Sequence, residues 1–196
     1  MNLNAIRDFV TREHPRFLCE ADGGQTYVAQ LEHRITAPTE SDLDAIPAPQ
    51  AQLKALYSQF GSLRLYCDTR STSCAFYLAK PSEWSQLKQE FMGWIKMLGT
   101  DDRHQLPDWI ESCITFGEIP ETGNYLLLPT EGNDSGKVYL FEHDGFVFQE
   151  EARDLASFMD SVTTPNESLF EKIRANTCYS DGETATQWLV AGYEDG

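Results

Sequence analysis

Apolar and polar positions change period several times along the chain, most clearly between Cys113 and Val162. Four apolar runs of strand length, Cys113–Gly117, Asn124–Pro129, Lys137–Glu142 and Phe146–Gln149, are rich in Ile, Val, Leu, Tyr and Phe. Turn chemistry separates them: Glu118-Ile119-Pro120-Glu121-Thr122-Gly123, then Glu131-Gly132-Asn133-Asp134-Ser135-Gly136, then Asp144-Gly145. Connections this short join antiparallel neighbours, which predicts a meander. The Asp144-Gly145 pair is a hairpin signal because it accepts positive φ at low cost. Ala152, Leu155, Ala156, Met159 and Val162 follow helical spacing and are expected to close one face of the sheet. Glu150 and Glu151 are expected in the first turn of that helix, where its dipole favours negative charge.

Upstream, Met1–His14 predicts a helix with Ile6, Phe9 and Val10 on one face, stopped near Pro15. Asp22-Gly23-Gly24 predicts a turn, and Thr26–Ile35 a strand with Tyr27, Ala29 and Leu31 on one side. Ser41 caps a brief expected helix through Ile46, interrupted by Pro47-Ala48-Pro49. Leu53, Leu56, Tyr57 and Phe60 mark a second helix ended by Gly61. Leu63–Asp68 and Cys74–Leu78 read as a strand pair. Ser82–Leu98 is the clearest helix, with Trp84, Leu87, Phe91, Trp94, Ile95 and Leu98 in a broad apolar stripe that reads as core. Thr100–Gln105 reads as a polar loop. Glu167–Ala175 predicts a short helix and Thr186–Tyr193 a last strand, expected either to pair with Thr26–Ile35 or to extend one sheet edge.

Composition narrows the class. The chain has 196 residues, 41% hydrophobic and 12% aromatic, ample for a packed core and expected to form one domain with additions. No run approaches the length of a membrane span, and the N-terminal segment lacks the pattern of a signal peptide, so the expectation is a cytosolic protein. Five scattered cysteines, Cys19, Cys67, Cys74, Cys113 and Cys178, form no Cys-x-x-Cys pair and no zinc spacing; buried, reduced thiols are expected, and no cofactor or metal. Net charge is −16, of which residues 101–160 carry −11, with fourteen acidic residues against Arg103, Lys137 and Arg153. Such a surface opposes nucleic-acid binding and suits a basic partner, although solubility alone often explains acidity.

Catalytic motifs are sparse. There is no G-x-S-x-G and no His-Glu-x-x-His among the four histidines His14, His33, His104 and His143. Glu142-His143-Asp144 is the most tempting trio, but neighbours on a strand point to opposite faces, so they are not expected to converge. The loop Glu131–Gly136 lacks the alternating ligands of a calcium loop, and Gly117 to Gly123 lacks the spacing of a phosphate loop.

Leu43, Ile46-Pro47, Leu53, Leu56-Tyr57 and Phe60-Gly61-Ser62-Leu63 resemble the opening of the SUKH superfamily. Ile114-Thr115-Phe116-Gly117, Gly123-Asn124-Tyr125-Leu126-Leu127-Leu128 and Gly136-Lys137-Val138-Tyr139-Leu140-Phe141-Glu142-His143 are similar to its core strands, and Ala156-Ser157-Phe158-Met159 to its closing helix. That family joins bacterial toxin-immunity proteins to a fungal regulator of cell-wall synthesis. The resemblance covers Glu40 to Val162, leaving 1–39 and 163–196 as additions. It implies an α+β domain, a mostly antiparallel twisted sheet packed by several helices, that binds a protein and carries no shared catalytic residues. The leading expectation is therefore a non-catalytic immunity protein that neutralises a basic toxin domain, such as a nuclease, by direct contact. Its expected contacts are Glu118, Glu121, Glu131 and Asp134 in the loops, and Glu142, Asp144, Glu150 and Glu151 near the last hairpin. The alternatives are a regulatory module on an endogenous protein, and a small hydrolase using His143 or His104.

Overall fold

The computed structural model describes residues 1–12, 16–20, 26–68, 74–99, 103–176 and 188–193, with the backbone alone at 16–20, 26–27, 29–30 and 188–193. The expected turn at Asp22-Gly23-Gly24 and the loop residues 100–102 lie outside these. Helix α1 (Leu3–Thr11) begins at Asn2, whose Oδ1 accepts the Ala5 N–H at 3.1 Å, and buries Ile6 and Val10. Strand β1 (Arg16–Glu20) follows Pro15, and β2 (Thr26–Thr36) is eleven residues long. Helix α2 (Glu40–Ala45) is capped by Thr39, two residues earlier than the expected Ser41, because the Thr39 hydroxyl takes the Asp42 N–H. Helix α3 (Ala51–Tyr57) stops before Gly61, so that glycine does not end it. Gly61 instead donates its N–H to the Thr36 carbonyl at 2.8 Å, and a Cβ there would overlap the Ala37 carbonyl.

Strands β3 (Ser62–Asp68) and β4 (Cys74–Leu78) form the expected antiparallel pair. A 3-10 turn at Pro81–Glu83 leads into α4 (Trp84–Met97), so the long helix starts two residues later than Ser82. The meander continues through β5 (Cys113–Ile119), β6 (Asn124–Pro129), β7 (Val138–Glu142) and β8 (Val147–Ala152). Helix α5 (Leu155–Thr163), α6 (Glu167–Asn176) and β9 (Trp188–Tyr193) complete the described elements.

Two expectations around β8 need correction. Glu150 and Glu151 belong to the strand, not to a helix; α5 has no acidic residue in its first turn and is capped by Asp154, whose carboxylate accepts the Ser157 N–H at 2.7 Å. The β7–β8 connection is the four residues His143–Phe146, and its positive φ (50°) falls on Phe146 rather than Gly145. A longer turn puts the left-handed residue at its end, and the Phe146 ring packs 5.9 Å from Phe141.

Among the described residues nine strands lie in the order β8-β7-β6-β5-β4-β3-β2-β1-β9, every pairing antiparallel. The chain is thus α+β, a seven-stranded meander from β2 to β8 with two further strands. The halves of β2 divide the work: Thr26–Gln30 pairs with β1 and Leu31–Thr36 with β3. Strand β9 pairs with β1, so β2 and β9 do not touch and the alternative of an extended sheet edge holds.

Helices cover both faces. On one, Phe91 of α4 packs against Tyr125, Phe141 and Phe148, with centroids 6.1, 5.1 and 6.4 Å away. On the other, Phe158 of α5 meets Phe76 and Phe116. Central strands buried on both faces read as continuous apolar runs, and all five residues of β4 are buried. One contiguous core runs from Ile6 to Ile173.

Candidate protein-interaction site

Side chains alternate across a sheet, so register alone decides which residues share a face. Arg64 stands opposite Tyr77, Tyr77 opposite Glu118, Glu118 opposite Tyr125, Tyr125 opposite Phe141 and Phe141 opposite Phe148. This row crosses five strand boundaries beneath α4. Its Tyr125–Phe148 half is aromatic and covered by Phe91. Its other half is polar, and the approach to α4 places Glu83 and Glu90 over it.

The polar half is densely charged. The Arg64 guanidinium lies 3.8 Å from the centre of the Tyr77 ring. The Tyr77 hydroxyl donates to the Glu83 carboxylate, which also accepts the Lys80 N–H at 3.2 Å. Burial raises the Tyr125 hydroxyl above its ordinary range, with Glu90 and Glu118 adding to the shift. Half-buried Glu118 sits among them. Burial pushes its carboxyl above the ordinary range and the nearby Glu90 adds to the shift, with Arg64 only partly opposing. Glu118 and Glu90 therefore lie near each other with Arg64 as the opposing cation.

The same end of the sheet carries the β5–β6 and β7–β8 turns. Trp94 stacks on the His143 ring with centroids 4.7 Å apart. Gly123, at φ 75°, lets the turn pass beneath them; a Cβ there would stand 3.1 Å from Trp94 and 3.3 Å from His143. His143 Nδ1 meets Asn124 Oδ1 at 3.0 Å, and its Nε2 meets Asp144 Oδ1 at 2.9 Å. His143 and Asp144 do converge, contrary to the strand argument, because both lie in a turn; Glu142 stays on the strand and points to the other face with Leu140 and Gln149.

The eight expected contacts thus divide. Glu118, Glu121, Glu142 and Asp144 are at this end; Glu131 and Asp134 are beyond the opposite end of the strands, about 20 Å away at ~3.3 Å per residue, and Glu150 and Glu151 lie partway along β8 towards it. The two groups also differ in electrostatics. Lys137 bridges Asp134 at 2.8 Å and Glu150 at 2.9 Å, and the Trp109 indole donates to Asp134 at 3.2 Å. That ammonium holds the Asp134 carboxyl below its ordinary range, and Asp134 and Glu150 hold the Lys137 ammonium above its own. Glu151, its side chain 5% exposed, is paired with Lys172 of α6 and ties β8 to that helix. Only Glu131 in this group is exposed without a described ion pair. A loop cavity of about 430 Å³ opens beside it, walled by Trp109, Asp108 and Asp134.

Sequence reasoning missed Glu90, Trp94, Arg64, Tyr77 and Asn124. Glu90 and Trp94 are four apart on one side of α4, but the apolar stripe that includes Trp94 reads as core, whereas Trp94 is only half-buried. Among the described residues no group of three or more His, Cys, Asp or Glu is placed to hold a metal ion, and no helix is long and apolar enough to cross a membrane. No protein-family profile, curated protein or solved structure matches the chain.

Proposed function

We propose that this protein is a non-catalytic binding domain for a basic protein, with its contact surface where Glu90, Glu118, Glu121 and Asp144 surround the Trp94–His143 stack. The observation that carries the reading is half-buried Glu118, whose charge is disfavoured by burial and by the nearby exposed Glu90. Like charges held together against burial raise the energy of the free protein. An arriving Lys or Arg relieves that repulsion, so the cost becomes differential affinity for a cationic partner. Aromatic walls from Tyr77, Tyr125 and Trp94 suit a guanidinium in particular. At the opposite end Asp134 and Glu150 share Lys137 and Glu151 is paired with Lys172, so these acids offer less.

Non-catalytic use is favoured by the engagement of His143. One ring nitrogen faces Asn124, the other Asp144, and the ring is stacked, which leaves neither nitrogen directed at a substrate proton. The partner class rests on the resemblance of residues 40–162 to the SUKH superfamily: an immunity protein that blocks the basic surface of a cognate toxin, such as a nuclease. The test is co-expression with the C-terminal domain of the product of the neighbouring open reading frame, expressed alone and together with this protein. Rescue of growth and a purified complex are expected, with Glu90→Gln/Glu118→Gln weakening binding at least about tenfold. Unchanged affinity in that variant rejects the proposed surface, and absence of rescue rejects immunity in favour of an endogenous partner.

A further inference from the structure

Residues 69–73 connect β3 to β4, and on the register of this hairpin Cys67 stands directly opposite Cys74. Both are fully buried free thiols, and each perturbs the other's titration. Directly opposed residues of an antiparallel pair have Cα atoms about 4.5–5.5 Å apart, inside the ~4.4–6.8 Å that a disulfide spans. A bridge between them therefore requires no movement of one strand past the other. The two sulfurs differ chemically. Cys67, with Arg64 Nη1 3.8 Å from the Cys74 sulfur, holds Cys74 below the ordinary thiol range, while Cys74 pushes Cys67 up. One is suited to attack and the other stands next to it to resolve. Cys67 is the penultimate residue of β3 and Cys74 the first of β4, so the pair lies at the connection end of the ladder, where local opening costs least.

We propose that Cys67 and Cys74 are a redox modification site, a dithiol that a small-molecule disulfide converts into a cross-strand bridge. The Cys74 thiolate attacks one sulfur of the oxidant, forming a mixed disulfide and releasing one thiol. Cys67 then gives up its proton and attacks the Cys74 sulfur, expelling the second thiol. The protein loses two electrons and two protons, and the oxidant is reduced to two thiols.

The experiment incubates the native full-length protein with oxidised glutathione, blocks remaining thiols after denaturation and maps the peptides. A Cys67–Cys74 linked peptide, lighter by two hydrogens, is expected at least about tenfold faster than any modification of Cys113, which is buried but has no opposed cysteine. Cys67→Ser is expected to trap the glutathione adduct on Cys74, and Cys74→Ser to abolish the reaction. Modification no faster than at Cys113, adducts without a link, or links to Cys19 or Cys178 overturn the proposal. The rate comparison is made on the wild-type chain, so it stands even where a serine variant fails to fold.

Discussion

At Glu118, burial and the Glu90 carboxylate act in the same direction, and the sign of the consequence follows. The folded chain holds this proton more tightly than the unfolded chain, so between the ordinary and the raised value stability falls as pH rises. Glu118→Gln is therefore expected to raise the thermal midpoint near neutral pH while weakening partner binding. The gain should vanish below about pH 4, where the carboxyl is protonated in both states; a pH series of melting curves on both proteins checks it. Tyr66 has its own strain, at φ 58° inside β3, where its N–H donates to His33 Nδ1 at 3.2 Å instead of to a strand partner. A bulky residue in that region costs about 1–3 kcal/mol. Its ring is buried against His33, Phe9 and Phe76, and its hydroxyl reaches the Val162 carbonyl of α5 at 2.9 Å. Tyr66→Phe is expected to cost about 1 kcal/mol in denaturant unfolding. None of this was legible in the sequence, because a left-handed residue is normally announced by Gly or Asn, and here tertiary contacts hold a tyrosine there.

For whole elements, periodicity was a better guide than punctuation. The run from Leu155 to Val162 announced α5, and its four apolar positions Leu155, Phe158, Met159 and Val162 are all buried. Its start was misread because Glu150 and Glu151 look like a favourable first turn, whereas Arg153-Asp154 carries the true boundary. Asp154→Ala is expected to cost about 1 kcal/mol by freeing the Ser157 N–H, measured by chemical denaturation. Hydrogen bonds from Ser157 hold the Asp154 carboxyl below its ordinary range, so this contribution is present above the unfolded value and is lost as pH falls through the folded one. Strand β1 escaped notice because Arg-Phe-Leu-Cys-Glu is five residues with no alternation, and only its neighbours β2 and β9 define it. The meander from β5 to β8 and the β3–β4 pair are legible because turn signals bound their strands, whereas the β4–β5 pairing across α4 is not.

For the molecule as a whole, the −11 of residues 101–160 was visible by counting, but its division between two ends of the sheet was not. Sequence neighbours such as Glu131 and Glu121 are separated by a whole strand, while Glu90 and Glu118, far apart in sequence, influence each other directly. Charge neutralised by Lys137 and charge left facing solvent have different consequences. Affinity for a basic partner is expected to fall with added salt, given a screening length of about 8 Å at physiological ionic strength. The slope should flatten in Glu90→Gln/Glu118→Gln and stay unchanged in Asp134→Asn/Glu150→Gln; titrations at several salt concentrations decide between the two ends.

The order of the sheet also sets a timetable. From β1 to β8 each strand lies beside the one made just before it, so pairing advances between chain neighbours, across tight turns or across intervening helices at β2–β3 and β4–β5. The β9–β1 contact is different, joining Trp188–Tyr193 to Arg16–Glu20 across almost the whole chain. On a ribosome the meander assembles as it emerges, while β1 waits with one open edge until β9 is synthesised. In pulsed hydrogen exchange during refolding, amides of β6 and β7 should therefore gain protection before those shared by β1 and β9.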